Sequence, residues 1–108
     1  MIRTPWQVLA LATVLAVFAA IAAHAEETTV VIDNFTFAPA AATVKAGTRV
    51  RFVNHDDIPQ TVVLANGKIR SKALDTDDSF AFIFDKPGDF AYFCGLHPHM
   101  KGEIKVTP

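Results

Sequence analysis

An all-β sandwich is the fold class this sequence predicts, and three observations predict it. Seven short runs between residues 28 and 107 are rich in β-branched and aromatic residues, and several alternate as half-buried strands do. Turns built on Gly and Pro separate the runs at short intervals. No stretch after residue 25 carries a sustained helical period. Seven or eight such strands close into two packed sheets.

The chain opens with a segment that belongs to export rather than to the fold. Residues 8–23 are apolar except for Thr13, follow Arg3, and run into Ala23-His24-Ala25 and Glu26-Glu27. Sixteen residues are short for a membrane span, which takes about 20. A positive start, an apolar run and a small-x-small end read as a secretory signal peptide over 1–25, cleaved after Ala25. A retained N-terminal anchor is the alternative. The expected product is one exported, periplasmic domain over 26–108, without a membrane segment.

The strands follow in order. Residues 28–33 (TTVVID) form a short β-branched run, and 43–45 lead into an Ala46-Gly47 turn. Over residues 48–54, Val50 and Phe52 share one face while Arg49, Arg51 and Val53 share the other. Pro59 introduces a β-branched strand at 60–64, and Asn66-Gly67 is a strong two-residue hairpin signal. Residues 68–78 carry no decisive pattern. Phe80, Phe82 and Phe84 alternate along 79–84, and Lys86-Pro87-Gly88 is a turn. Phe90, Tyr92 and Cys94 share a face of 89–94, and 103–107 close the chain. The eight Phe residues after residue 25 are expected to fill the core, since aromatics bury large areas.

Composition excludes several functions. Without the leader and its Arg3, nine Lys and Arg face 11 Asp and Glu, a near-balance that offers nucleic acid no basic face. A domain of 83 residues buries one small core, which suits a binding or carrier module. The single Cys94 has no intramolecular disulfide partner. The acidic run Asp75-Thr76-Asp77-Asp78 reads as a solvated turn, and Lys68, Arg70 and Lys72 as protection of an edge strand.

Chemistry concentrates at one place. After residue 25 the chain holds one Cys, one Met and three His, and four of these five lie in Cys94-Gly95-Leu96-His97-Pro98-His99-Met100. Thiolate, imidazole and thioether at three-residue steps can converge from a tight loop. Thiolate and thioether favour copper(I), and imidazole serves both oxidation states. Read one by one, Cys94 is a buried thiol, Met100 a core residue and the histidines loop residues. Read together, they form a metal site. Zinc also takes Cys and His, but the thioether of Met100 suits it poorly. A nucleophilic enzyme using Cys94 with His97 or His99 as base would need an oxyanion pocket that nothing in the sequence supplies.

The motif Cys94-x-x-His97-Pro98-x-Met100 resembles the ligand loop of the cupredoxins, the blue copper proteins of the amicyanin and plastocyanin type. Phe35-Thr36-Phe37-Ala38-Pro39, Val44-Lys45-Ala46-Gly47 and Phe52-Val53-Asn54-His55-Asp56-Asp57-Ile58-Pro59 resemble the upstream strands of small bacterial members. The resemblance covers essentially all of 26–108. It implies a Greek-key sandwich of about eight strands with one copper ion near one end. Cys94, His97 and Met100 would be its ligands, Asn54 would tie the two ligand-bearing loops together, and Pro98 would stiffen the loop. It further implies a monomeric one-electron carrier. Such a carrier would meet redox partner proteins through the edge of His97, with Leu96, Pro98, Ile58 and Pro59 around it.

One position departs from the family. Its further histidine ligand directly follows a proline, and here the run is Pro59-Gln60-Thr61-Val62. Three readings are open. In the first, Gln60 is the fourth ligand through its amide oxygen; in the second, His55 or His99 substitutes; in the third, the site has lost efficient copper binding and the domain serves another role. Cys94, His97 and Met100 without a second imidazole form a softer set, which favours copper(I). That raises the reduction potential, or turns the protein into a copper(I)-binding or delivery protein.

Overall fold

The computed structural model of the chain describes residues 26–64 and 67–108. The leader expected over 1–25, and Asn66 of the expected hairpin, lie outside the described residues. Nine strands are present among the latter: β1 (Glu27–Asp33), β2 (Thr36–Ala38), β3 (Ala41–Lys45), β4 (Thr48–Asn54), β5 (Val63–Leu64), β6 (Ile69–Arg70), β7 (Ser79–Phe84), β8 (Gly88–Phe93) and β9 (Lys101–Thr107). They form a four-stranded sheet in the order β2-β1-β4-β7 and a five-stranded sheet in the order β3-β9-β8-β5-β6. Non-consecutive neighbours in both sheets mark the crossovers of a Greek-key sandwich. β1 runs parallel to β4 and β3 parallel to β9, while the other pairs are antiparallel.

The alternation read from sequence sets which face of each strand is inside. In β4, Thr48, Val50, Phe52 and Asn54 are buried, and Arg49 and Arg51 are exposed. Val30 and Ile32 of β1 and Ile104 and Val106 of β9 belong to the same core cluster. Tyr92 anchors the centre, edge-on to Phe37 and Phe52 at ring-centroid distances of 4.7 and 5.1 Å. Its cross-strand partner is Gly102, where an added Cβ would collide with the tyrosine ring. Gly47 turns the chain from β3 into β4 at φ 94°, a region that favours glycine.

The expectation that the phenylalanines fill the core needs correction. Phe37, Phe52 and Phe84 are buried, Phe80, Phe82 and Phe90 are only partly covered, and Phe35 stands 45% exposed. Phe35 sits in the turn between β1 and β2 with φ 56°, so its side chain leaves the sheet face altogether.

The strand expected at 60–64 is also shorter than its pattern. Only Val63 and Leu64 join the sheet. Gln60 instead exchanges both backbone hydrogen bonds with Leu74, at 3.0 and 2.7 Å. The next two backbone N–H groups donate to side chains, Thr61 to Cys94 Sγ at 3.3 Å and Val62 to Ser71 Oγ at 2.9 Å. Those donors are diverted from a ladder to the place where the chemistry lies. β6 is an edge strand, with Arg70 exposed on it and Lys68 and Lys72 exposed on either side. Residues 75–78 form the expected turn, in which the Asp75 N–H donates to Asp78 Oδ2 at 3.0 Å.

Candidate metal centre

β8 delivers Cys94 to one end of the sandwich, where it is fully buried. The loop that follows is closed by its own backbone. The His97 N–H donates to the Cys94 carbonyl (3.2 Å), the Met100 N–H to the His97 carbonyl (2.9 Å), and the Cys94 N–H to the Met100 carbonyl (3.0 Å). Two turns of three-residue step therefore set Cys94, His97 and Met100 in one tight loop. Met100 is 3% exposed within the core cluster, His97 is half-buried, and Pro98 and Leu96 are exposed.

Gln60 closes the site from the other segment. It is fully buried. Its Oε1 accepts from Cys94 Sγ–H at 3.2 Å and lies 2.9 Å from His97 Nδ1, while Cys94 Sγ and His97 Nδ1 are 3.8 Å apart. An amide oxygen only accepts, so His97 Nδ1 carries the hydrogen in this contact. The Gln60 amide donates from Nε2 to Asp56 Oδ2 at 2.8 Å. Asp56 also accepts the backbone N–H groups of Asn34 (2.6 Å) and Phe35 (3.0 Å). Burial pushes the Asp56 carboxyl upward, but these hydrogen bonds and the nearby His97 outweigh it and hold the group below the ordinary carboxylate value.

Thr61 adds a further bond between the two segments, its Oγ1 accepting the Gly95 N–H at 2.7 Å. Asn54 does something different from the tie expected of it. Its Nδ2 donates to the carbonyls of Ile58 (2.9 Å) and Leu74 (2.8 Å), and its Oδ1 accepts the Asp56 N–H (2.9 Å). It shapes the 54–60 loop and leaves the contact with the 94–100 loop to Thr61 and Gln60. The cause is direction: Asn54 points into the core at the end of β4, on the side of Leu74.

His55 and His99 are both exposed. The His99 ring stands 6.4 Å from that of His97. The donors that the structure brings together are buried Cys94 and Gln60 and half-buried His97, with Met100 closing the loop. Among the described residues no group of three His, Cys, Asp or Glu is placed to hold a metal, so a metal here must draw on the amide and the thioether. Thiolate, imidazole, thioether and amide oxygen are a donor set that fits copper. Local sequence pattern carries no sign of Asp56 or Phe35 in this neighbourhood. Phe35 meets the His97 ring edge-on at 5.2 Å, across a sequence distance that periodicity does not see.

Comparison with known proteins bears on the family and the fold. A family model described as "Cupredoxin-like domain" matches residues 7–106. The chain is 30% identical over 87 residues to amicyanin of Paracoccus versutus, an alignment spanning 76% of this chain and 66% of that one. It is 30% identical over 115 residues to amicyanin-alpha of Methylorubrum extorquens, spanning 91% and 97%. Among solved structures, a purple cupredoxin from Nitrosopumilus maritimus superposes with a TM-score of 0.70 at 23% identity, over 74% of this chain and 99% of that one.

Proposed function

The chain belongs to the cupredoxin-like family, whose metal is one copper ion, and on that premise we propose that it is a periplasmic one-electron carrier. The copper would be held by Cys94, His97 and Met100, with Gln60 as the fourth donor. Bound copper supplies a centre that gains and loses one electron. The observation that carries this reading is the position of Gln60 Oε1, 3.2 Å from Cys94 Sγ and 2.9 Å from His97 Nδ1. The residue that replaces the family histidine has its donor atom among the other donors.

Each neighbour has a part. The Thr61 N–H donates to Cys94 Sγ, which steadies the sulfur whether or not it carries charge. To hold copper, His97 would present Nδ1 as the tautomer that carries its hydrogen on Nε2, which would leave Gln60 Oε1 free as a donor. Exposed Leu96, Pro98 and Phe35 surround half-buried His97, an apolar rim on which a redox partner protein can settle. Transient redox contacts are small, below about 1,200 Å², and fit such a rim. The neutral amide oxygen is a weaker donor than the imidazole it replaces, so copper(II) loses more than copper(I) held by the thiolate and thioether, and the reduction potential is raised.

The test is a visible spectrum of the 26–108 chain titrated with copper(II), reduced with ascorbate and reoxidised. An intense thiolate-to-copper band that bleaches and returns is expected. A chain that stays colourless through the titration and does not cycle would overturn the carrier reading.

A further inference from the structure

The side-chain amide of Gln60 has a donor end and an acceptor end, and only one of them can serve a metal. Its orientation is set from behind. Asp56 Oδ2 lies 2.8 Å from Nε2, and the same carboxylate takes the backbone N–H groups of Asn34 and Phe35, so it stands among donors as an acceptor. The NH₂ must therefore face Asp56, and Oε1 must face Cys94 and His97. Had Asp56 been a neutral amide, either end of Gln60 could have met it.

The same carboxylate does a second thing. It takes the N–H groups of Asn34 and Phe35, which lie at φ 52° and 56°. Consecutive non-glycine residues in the left-handed region persist only where their surroundings hold them. That turn brings the Phe35 ring edge-on to His97 at 5.2 Å and 83°. One carboxylate thus connects to both sides of the donor set, Gln60 on one and the wall beside His97 on the other.

We propose that Asp56 is the positioning residue of the metal centre: it aims Gln60 Oε1 into the site and anchors the Asn34–Phe35 turn against His97. The consequence for copper rests on the reading given under Proposed function, whereas the aiming of the amide belongs to the metal-free protein. An anion hydrogen-bonded to the NH₂ end also shifts electron density toward Oε1, which makes a neutral amide a stronger donor. Partners of this kind behind a ligand are worth about 10- to 100-fold in metal affinity.

Two measurements test this. In the metal-free, unsubstituted chain, the Gln60 side-chain amide protons should exchange with water at least about 10-fold more slowly than those of exposed Asn34, as seen by NMR. Exchange as fast as Asn34 would overturn the positioning role. The second is a double-mutant cycle on copper(I) affinity, with copper(I) supplied from a chromophoric chelator without oxygen. Asp56→Asn should weaken copper(I) binding about 10- to 100-fold where Gln60 is present, and less than about threefold where Gln60 is already Ala, since the coupling is then gone. Equal losses in both backgrounds would overturn the role, because Asp56 would then act on the fold and not through Gln60. An unsubstituted chain that takes up no copper(I) would overturn the copper reading itself, and amide exchange would then decide the positioning role. The exchange measurement needs no substitution, so it also decides where Asp56→Asn does not fold.

Discussion

Replacing Gln60 with Ala should destabilise the metal-free protein by about 3 kcal/mol. The side chain is fully buried and its amide makes three contacts. The bond from Nε2 to the Asp56 carboxylate is charge-assisted and worth about 1.5–3 kcal/mol. The contact from His97 Nδ1 to Oε1 adds about 0.5–1.5 kcal/mol, and the Cys94 thiol adds a weaker one. Loss of buried CH₂ contributes about 0.8 kcal/mol. Water entering the polar space left behind offsets part of the sum, which brings the net to about 3 kcal/mol. For a domain of this size that lowers Tm by about 12–24 °C. The assay is urea unfolding followed by circular dichroism, with the slope unchanged so that the shift in midpoint reports stability. A loss below about 1 kcal/mol would refute the network, because a buried amide with these partners cannot be removed so cheaply.

Other expectations concern the core behind the site. Tyr92 is the only tyrosine of the chain, and burial pushes its phenol up to about 12 from 10.0. Because the folded value is raised, the stability tied to the neutral phenol is full below pH 10 and is lost as pH climbs from 10 toward 12. An absorbance titration at 295 nm should show that late midpoint, and a midpoint near 10 would contradict it. The Tyr92 hydroxyl is buried without a hydrogen-bond partner among the described residues, so Tyr92→Phe should leave stability unchanged or raise it by about 1 kcal/mol; a loss above about 1.5 kcal/mol by thermal unfolding would show a partner. Gly102→Ala drives a methyl into the Tyr92 ring and should cost about 1–3 kcal/mol or more. Unfolding at the unsubstituted midpoint would show that the ring can move aside.

What the sequence shows and what it hides follow from the range of the interactions. The period-2 pattern of β4 is a local property, and its inside and outside residues are legible directly. So is the three-residue step of Cys94, His97 and Met100, which the loop's own backbone bonds enforce. The truncation of the 60–64 strand is not local. It follows from N–H groups donated to Cys94, 33 residues away, and to Ser71. Phe35 meets Asp56 and His97 across 21 residues or more, and Asp56 meets Gln60 across four residues of irregular loop, so no periodicity encodes either role. Asn54 is the instructive case: its presence at the end of β4 is visible in the sequence, but its partners are decided by the path of the chain through Leu74. Gln60 stands out in sequence only as an absent histidine. Its orientation is a tertiary fact, fixed by Asp56.

The most direct test of the central claim is a crystal structure of the copper-loaded 26–108 chain. The account predicts one copper ion bound by Cys94 Sγ, His97 Nδ1, Met100 Sδ and Gln60 Oε1, with the Gln60 NH₂ still on Asp56. Copper held through His55 or His99, or Gln60 turned away from the ion, would contradict it.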